Sequence, residues 1–466
     1  MNFKLANTLR NSEKWQNFFL SYKYPLTVAV ITVIGYVSGL EFYLNFINML
    51  LLAVGIILTH SALPIVPVIS MYIFTISPKN SPESHFGSNF YNNPWVIGVM
   101  AVLFLACIVL AVFVMVKNGV FRAFFLSELP LFWGTILLST AFLLGGAFSG
   151  VWEIENLLYG AMLIVVCFGI FYFFHFGFKN ENKDTVVRYL VYTAAAMAVV
   201  LILETAHLYI TNGNIIKNGE IVKEQVLFGW GMWTMAGQFL AVTIPLCFLG
   251  VMRERRWWIY FTLASLALLS VVFTLSRNAL LVGGAVYLAS AIICCFFGEH
   301  KRGFKVTALC VFSALSLLFI TFHREILTAL SDYIERGFSN NGRFALWKHG
   351  ISEFRDFPLF GKGFFGLQRE LADGTPEGFT FYPRMMHNTV IQLLGACGIF
   401  GLLAYIVYRA GTLLPFLKKI NVEKTMLLLT LMVVITGSLI DNFLFLPKHM
   451  LFYPIVLAAG FRVAKE

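Results

Sequence analysis

The amino-acid sequence predicts an all-α fold: a polytopic transmembrane helix bundle of 12–14 spans with one long extracytoplasmic loop containing short helices. Of its 466 residues, 59% are hydrophobic and 12% are charged, whereas a soluble domain carries roughly 25% charged residues. Uncharged apolar runs recur along the chain, and about 20 apolar residues cross a bilayer as a helix. The net charge of +10 also suggests a nucleic-acid-binding protein, but the apolar runs argue against that class.

The candidate spans fall into a clear set and a weaker set. The clear runs are Trp95–Val116, Pro130–Ser149, Leu157–Phe176, Phe228–Met252, Trp258–Leu275, Ala279–Phe297, Val306–Phe322, Thr389–Tyr408 and Met426–Phe445. The weaker runs are Pro25–Leu40, Phe42–Thr59, Ala62–Ile76, Tyr189–Ile210 and Met450–Phe461. The weaker runs are also compatible with re-entrant segments, which is why the prediction spans 12 to 14.

The basic residues of the short loops predict the orientation. With fourteen spans and the N-terminus inside, the inside segments carry 21 Lys and Arg residues and the short outside loops carry five. Basic residues concentrate on the cytoplasmic side of membrane proteins. We therefore expect both termini in the cytoplasm of a cytoplasmic (inner) membrane protein, with the opposite ends of the spans facing the periplasm or the cell exterior.

The same pattern divides the chain into four parts. Residues 1–24 are predicted to be a cytoplasmic N-terminal tail, because four basic residues precede the first apolar run, which is unlike a cleaved signal peptide. Residues 25–322 form the transmembrane bundle, residues 323–386 the extracytoplasmic loop, and residues 387–466 the C-terminal transmembrane helices with a short cytoplasmic tail. A loop of 64 residues is too long for a simple connector and is usually functional.

One amphipathic helix is predicted inside the long loop. Phe344, Trp347, Ile351 and Phe354 recur at spacings of three and four, which gives one apolar face. The helix is expected to begin after an Asn341 N-cap and to end before Pro358. Such a helix lies in the membrane interface or covers a cavity between spans, and it holds Arg343 near the membrane surface.

Two ionisable residues at the outer ends of spans are the main candidates for chemistry. Arg277, in Thr274-Leu275-Ser276-Arg277-Asn278, is suited to a bidentate clamp on phosphate, or to snorkelling toward headgroups. His387 begins the span His387-Asn388-Thr389 and is suited to general-base work or to capping the helix. The pair Asp441-Asn442 at the outer end of the penultimate span is a candidate for orienting His387.

Other polar or aromatic residues have two interpretations each. Glu204 and His207 are three apart and suit either a proton relay or a structural pair, of which we favour the pair. The paired tryptophans Trp230 and Trp233, in the segment from Phe228 to Gln238, suit an interfacial aromatic belt or a wall for stacking sugars, of which the belt is favoured. No metal-binding or nucleotide-binding motif is present in the sequence, so no cofactor is predicted. The seven cysteines all fall in apolar runs, which indicates small core residues.

Several of these segments together resemble a known family. Thr274-Leu275-Ser276-Arg277, the loop with Gly342-Arg343 and Trp347, the segment from Pro358 to Gly363, and His387-Asn388 followed by Gly395, Gly398 and Gly401 are similar in order and spacing to the O-antigen ligase/polymerase superfamily. The resemblance covers roughly Phe228 to Phe445.

This resemblance implies a GT-C type membrane glycosyltransferase. Its donor would be an undecaprenyl-diphosphate-linked glycan, and its acceptor a saccharide or lipid-linked saccharide, in a pathway such as lipopolysaccharide biosynthesis. Carried over, His387 would be the catalytic base, Arg277 and Arg343 would bind the donor diphosphate, and Asn388, Asp441, Trp230 and Gln238 are supporting candidates.

Two alternatives remain at this point. Ligases of this family often carry a further arginine near the span that begins at Trp230–Gln238, and this sequence has none there, which leaves room for a repeat-unit polymerase. From another class, a transporter or flippase of lipid-linked sugars would also be polytopic and arginine-lined. A transporter places its charged site near the midplane with broken helices, whereas Arg277, Arg343 and His387 are predicted at one face, which favours an enzyme.

Overall fold

The computed structural model describes residues 13–75, 94–120, 129–150, 152–217, 220–222, 225–228, 230–321, 343–367, 385–446 and 450–464. Over these ranges the fold is helical, with two short antiparallel strand pairs between two long helices. These strands are β1 (Ile216–Lys217) with β2 (Glu220–Ile221), and β3 (Leu227–Phe228) with β4 (Gly231–Met232). The predicted all-α fold is confirmed.

The helices of the first half all come before the two strand pairs in the sequence. They are α1 (Glu13–Phe19), α2 (Lys23–Ser38), α3 (Glu41–Thr59), α4 (Ile65–Tyr72), α5 (Pro94–Lys117), α6 (Phe132–Leu144), α7 (Ile154–Ile164), α8 (Ile170–Gly177) and α9 (Lys183–Thr211). A π-helical turn at Val165–Gly169 joins α7 to α8. Helix α1 lies within the predicted N-terminal tail and already buries Phe19.

The helices of the second half carry the candidate site. They are α10 (Trp233–Arg253), α11 (Trp257–Phe273), α12 (Arg277–Phe297), α13 (Lys301–Thr321), α14 (Arg343–Asp356), α15 (Thr389–Leu417), α16 (Val422–Gly437) and α17 (Tyr453–Ala464). Helix α10 packs against α9, α11, α12 and α16, and nearly all of its residues are buried. It is the central helix of this half of the bundle.

Helix length gives fewer spans than the apolar runs predicted. In the described ranges seven helices are long and apolar enough to cross a membrane, or up to eight if α1 and α2, bent by 57°, form one span. Four further apolar helices have 10–17 residues. Hydrophobicity does not show where a helix stops: the run from Pro130 to Ser149 is helical only to Leu144, because the chain turns at Gly145 and Gly146, the latter with φ of 81°.

The outer surface of the bundle is apolar. Leu105 on α5 is 61% exposed, Leu281 on α12 is 71% exposed, and many other large apolar side chains point outward. A soluble protein rarely exposes contiguous apolar surface of this kind, so these faces fit contact with lipid. Cys310 is among the exposed residues, which corrects its predicted place in the core.

The two ends of α10 differ in their charges. At its C-terminal end Arg253 pairs with Asp184 at 2.7 Å and with Glu423 at 3.1 Å. Arg188 pairs with Glu254 beside them at 3.3 Å. These ion pairs join the ends of α9, α10 and α16, whereas the candidate site lies at the opposite end of α10.

Helix α15 is broken at Gly398, where φ is 65° and ψ is −161°. The break removes partners from carbonyls of the preceding turn, and backbone amides of the loop take their place. Lys362 N–H donates to Gly395 at 2.8 Å and Gly363 N–H donates to Ala396 at 3.0 Å. The segment after α14 is therefore hydrogen-bonded to α15 about 10 Å along the helix from its start.

The loop helix α14 confirms the predicted helix, and its four predicted apolar residues differ in their exposure. Phe344 is 60% exposed and Ile351 is also exposed, while Gly350 and Glu353 are buried against the bundle. The buried Glu353 carboxylate is paired with the Lys362 ammonium at 2.9 Å, so a polar residue can face inward. Trp347 and Phe354 are partly buried, so the predicted apolar face is divided between exposed and partly buried side chains. The predicted N-cap Asn341 lies outside the described residues.

Candidate functional site

Asp441 is the centre of the candidate site. Its Oδ1 accepts a hydrogen bond of 2.9 Å from Arg343 Nη2 and lies 3.2 Å from His387 Nδ1. Its Oδ2 accepts a longer bond of 3.4 Å from Asn278 Nδ2. Three segments that are far apart in the sequence therefore meet on one carboxylate that is only 7% exposed.

The end of α16 places Asp441. Asp441 N–H donates to the carbonyl of Gly437, the last residue of that helix, at 2.9 Å. Asn278 donates to the same carbonyl at 3.2 Å. Gln238 packs closely against Gly437: a Cβ added at Gly437 would lie 2.6 Å from Gln238 Nε2. The same Nε2 donates a hydrogen bond to Val433 O at 2.7 Å. The supporting candidate Gln238 is thus a packing partner of the segment that carries Asp441.

His387 lies in a turn with a left-handed backbone, with φ of 50°. The next residue, Asn388, caps α15 through its side-chain oxygen, which accepts from Val390 N at 2.9 Å and Ile391 N at 3.1 Å. Asn388 Nδ2 donates to Leu439 O at 2.9 Å. Its polar groups therefore hold this turn against the segment that leads to Asp441.

Arg343 is the first residue of α14. Its side chain is 30% exposed, and within the described residues its bond to Asp441 is the one hydrogen bond its guanidinium makes. A guanidinium has five N–H donors. Among the described residues most of the donors of Arg343 have no partner, and they could bind an anion while one of them holds Asp441.

Arg277 is the first residue of α12 and follows Ser276, whose side chain caps the helix by accepting from Ala279 N. Arg277 is half-buried, and in the described part of the chain its guanidinium has no hydrogen-bond or ion-pair partner. Its neighbour Asn278 contacts Asp441, and successive Cα atoms are about 3.8 Å apart, so the Arg277 backbone lies beside the cluster.

The charges of the cluster leave it positive. Arg277, whose backbone lies beside the cluster, and Arg343 carry one positive charge each, and Asp441 carries one negative charge, so these three side chains have a net charge of +1. Because Arg343 compensates Asp441 directly, Arg277 supplies the charge without a partner among the described residues. The cluster is therefore suited to attract an anionic group.

The His387–Asp441 contact sets the direction of the imidazole. A carboxylate only accepts hydrogen bonds, so Nδ1 of His387 must carry the hydrogen that it shares with Asp441. In a neutral imidazole the lone pair is then on Nε2. The side chain of His387 is 43% exposed, so this nitrogen is in reach of a molecule that enters from the bundle surface.

Three predicted residues lie away from this cluster. The Trp230 side chain is buried, and its Nε1 donates to Glu204 Oε2 at 2.7 Å. For Trp230 this burial contradicts both the aromatic belt and the sugar-stacking wall, because both need an exposed ring, whereas Trp233 is only partly buried. The predicted Glu204–His207 pair is also wrong: Glu204 bonds to Trp230, and His207 packs its ring edge-on to Tyr36.

Two polar residues of the site, Asn278 and Gln392, received no role from the sequence. Asn278 contacts Asp441, and Gln392 bonds at 2.7 Å to Asn442, which was predicted together with Asp441. All three are buried. Their common signal is a polar residue at the end of an apolar run, since such residues are costly at membrane depth and are usually paired or functional. No cluster of metal-ligand side chains occurs in the described ranges.

The fold and the cluster define a multi-pass membrane protein with a polar site at one end of its helix bundle. Residues 262–406 match the family model described as O-antigen ligase. This match includes Arg277, Arg343 and His387 and ends before Asp441, and it confirms the resemblance predicted from the sequence over that segment. No curated protein matches the chain.

Proposed function

We propose that this protein is a membrane glycosyltransferase that moves a glycan from an undecaprenyl-diphosphate-linked donor to an acceptor saccharide at the outer face of the cytoplasmic membrane. The observation that carries the proposal is the buried Asp441 carboxylate, which holds a histidine and an arginine together at the bundle surface. The matched O-antigen ligase segment supports the same reaction class.

In the proposed reaction the acceptor hydroxyl attacks the anomeric carbon of the donor glycan. His387 Nε2 takes the hydroxyl proton as the new C–O bond forms, and the bond from the sugar to the diphosphate breaks. The electron pair leaves with the diphosphate. Because attack and departure occur on opposite sides of the carbon, the anomeric centre is inverted.

The two arginines would stabilise the leaving diphosphate. Negative charge grows on the phosphate oxygens as the sugar departs, and positioned donors act best on charge that develops in the transition state. Guanidinium groups bind two oxygens at once and stay charged at any working pH. Arg277 and Arg343 would thus supply the positive charge without a metal ion.

The orientation is part of the proposal. The 21-to-five distribution of basic residues favours cytoplasmic termini, and it would put the starts of α12 and α15, with Arg277 and His387, at the outer face. The ion pairs of Arg253 at the other end of α10 would then be cytoplasmic.

A ligase and a polymerase of this type differ in their acceptor. A ligase transfers the glycan to another kind of saccharide, such as a lipid-anchored core sugar, whereas a polymerase transfers it to a second repeat unit. Trp230 and Gln238, which were candidates for this role, bond within the bundle and give no preference.

A transporter of lipid-linked sugars is the second candidate, and the break of α15 at Gly398 favours it, because transporters use broken helices at their binding sites. However, the carbonyls of Gly395 and Ala396 at the break already accept amides from Lys362 and Gly363. Because these carbonyls already have hydrogen-bond donors, they are not open to an ion or a substrate, and this supports the glycosyltransferase over the transporter.

Transfer by the purified protein tests the proposal. The protein in liposomes is given a lipid-linked glycan and either a core-sugar acceptor or a second lipid-linked repeat unit, and the products are separated on a gel. We expect a product that requires donor and acceptor and that is lost in His387→Ala. Movement of a fluorescent lipid-linked sugar between leaflets, without any product, would establish the transporter instead.

A further inference from the structure

We propose that Gln392 is a positioning residue for the His387–Asp441 pair, acting through the two backbone segments that carry these residues. This inference rests on the function proposed above, because it assigns a role to a residue that cannot touch substrate itself. Gln392 is fully buried on the first turn of α15.

One oxygen atom makes the connection. Gln392 Oε1 accepts from the backbone N–H of Met386 at 2.7 Å and from Asn442 Nδ2 at 2.7 Å. Met386 directly precedes His387, and Asn442 directly follows Asp441. The same side chain therefore fixes a neighbour of each member of the pair.

The backbone at His387 needs such a restraint. A left-handed φ is unfavourable for a residue other than glycine and persists only where the surroundings enforce it. On the C-terminal side of His387, Asn388 is tied to Leu439. On its N-terminal side the Met386 amide is tied to Gln392. The histidine is therefore anchored on both sides.

A purely structural role would also explain a buried glutamine, because buried donors need acceptors. The two roles differ in what they predict. A structural residue affects the amount of folded protein, whereas a positioning residue changes the turnover of folded protein, and only while His387 is present.

The test uses two substitutions of similar length. Gln392→Met removes the acceptor oxygen, and Gln392→Glu keeps an oxygen that can accept both bonds. Gln16→Met is the matched control, because the Gln16 side chain is also hydrogen-bonded to the backbone: its Nε2 donates to Leu58 O at 3.1 Å, on the N-terminal helices. Each protein is purified, its folded fraction is measured, and kcat and KM for the lipid-linked donor are determined.

We expect Gln392→Met to lower kcat about tenfold or more, since small displacements of a catalytic group have effects of this size, with the donor KM changed less than about twofold. Gln392→Glu should recover most of the loss, and Gln16→Met should resemble the wild type. In a His387→Ala background Gln392→Met should have no further effect. An equal loss with and without His387, or a loss of stability with normal kcat, would overturn the inference.

Amide hydrogen exchange tests the inference independently of the proposed function, because it needs no glycan transfer. If the wild-type protein transfers no glycan, the proposed function fails. Hydrogen exchange of the Met386 amide still tests whether Gln392 holds the backbone before His387. Faster exchange of this amide in Gln392→Met than in Gln392→Glu supports the inference, and equal exchange in both variants overturns it.

Discussion

His387 Nδ1 lies 3.2 Å from Asp441 Oδ1, although 54 residues separate them. The contact crosses from the start of α15 to the segment after α16, and the bond of Asn388 to Leu439 continues it at 2.9 Å. The same Asp441 oxygen binds Arg343 from the long loop. One carboxylate thus fixes the loop, a span end and a histidine relative to one another.

Replacement of His387 by alanine should lower glycan transfer by about a hundredfold or more, the typical contribution of a general base. Membrane insertion and donor binding should survive, because the proposed role concerns the acceptor hydroxyl. Turnover and donor binding are measured on purified protein of known folded fraction. Near-normal transfer by well-folded His387→Ala protein would remove His387 from the mechanism.

Asp441→Asn should lower transfer by at least about tenfold. Asparagine keeps the shape but loses the charge that binds Arg343 and His387, and hydrogen bonds to charged groups contribute about 1.5–3 kcal/mol, where 1.4 kcal/mol is about tenfold in rate. The rate and the melting temperature are measured together. If melting falls while the rate per folded molecule is unchanged, Asp441 has a structural role only.

Arg277→Lys should reduce transfer at least about tenfold, equivalent to roughly 1.4 kcal/mol of transition-state stabilisation. Lysine retains the charge but lacks the planar pair of donors that grips two phosphate oxygens. Arg255→Lys is the control, since Arg255 is exposed at the other end of α10. Equal turnover of both variants and the wild type would identify Arg277 as an interfacial anchor.

Gly398→Ala should destabilise the folded protein by at least about 2 kcal/mol, because φ of 65° with ψ of −161° is essentially restricted to glycine. A Cβ at this position would also lie 2.4 Å from the carbonyl of Leu359. Thermal unfolding in detergent measures the effect. Gly284→Ala is the control: a Cβ there has open space, so we expect no loss and a gain of up to about 1 kcal/mol. Equal melting temperatures would show that the chain relaxes around the break.

Single cysteines at positions 301 and 374 test the predicted orientation. In a protein without its seven native cysteines, Lys301→Cys should be protected from an impermeant reagent in intact cells, because basic short loops remain in the cytoplasm. Gly374→Cys should be labelled, since it lies in the predicted outside loop. Labelling at 301 in intact cells would reverse the orientation.

Part of the candidate site was accessible from local sequence patterns. Arg277 and His387 were found because an ionisable residue that begins an apolar run is conspicuous, and the helix of the long loop was found from its spacing of apolar residues. Trp230 and Glu204 were misjudged, because nothing in the order of residues shows that the ring of one meets the carboxylate of the other inside the bundle.

The sequence by itself determined the membrane class and the all-α fold, because apolar runs of sufficient length must form helices whose backbone groups are satisfied internally in lipid. The tertiary structure decided the rest. It placed Asp441 under His387 and Arg343, and it inserted the amides of Lys362 and Gly363 into the break of α15. It also buried Glu353 of α14 and left Phe344 on the same helix exposed. These outcomes depend on which buried donors and acceptors from distant segments pair with one another. Hydrophobic periodicity is a local property of the sequence, so it does not predict those pairs.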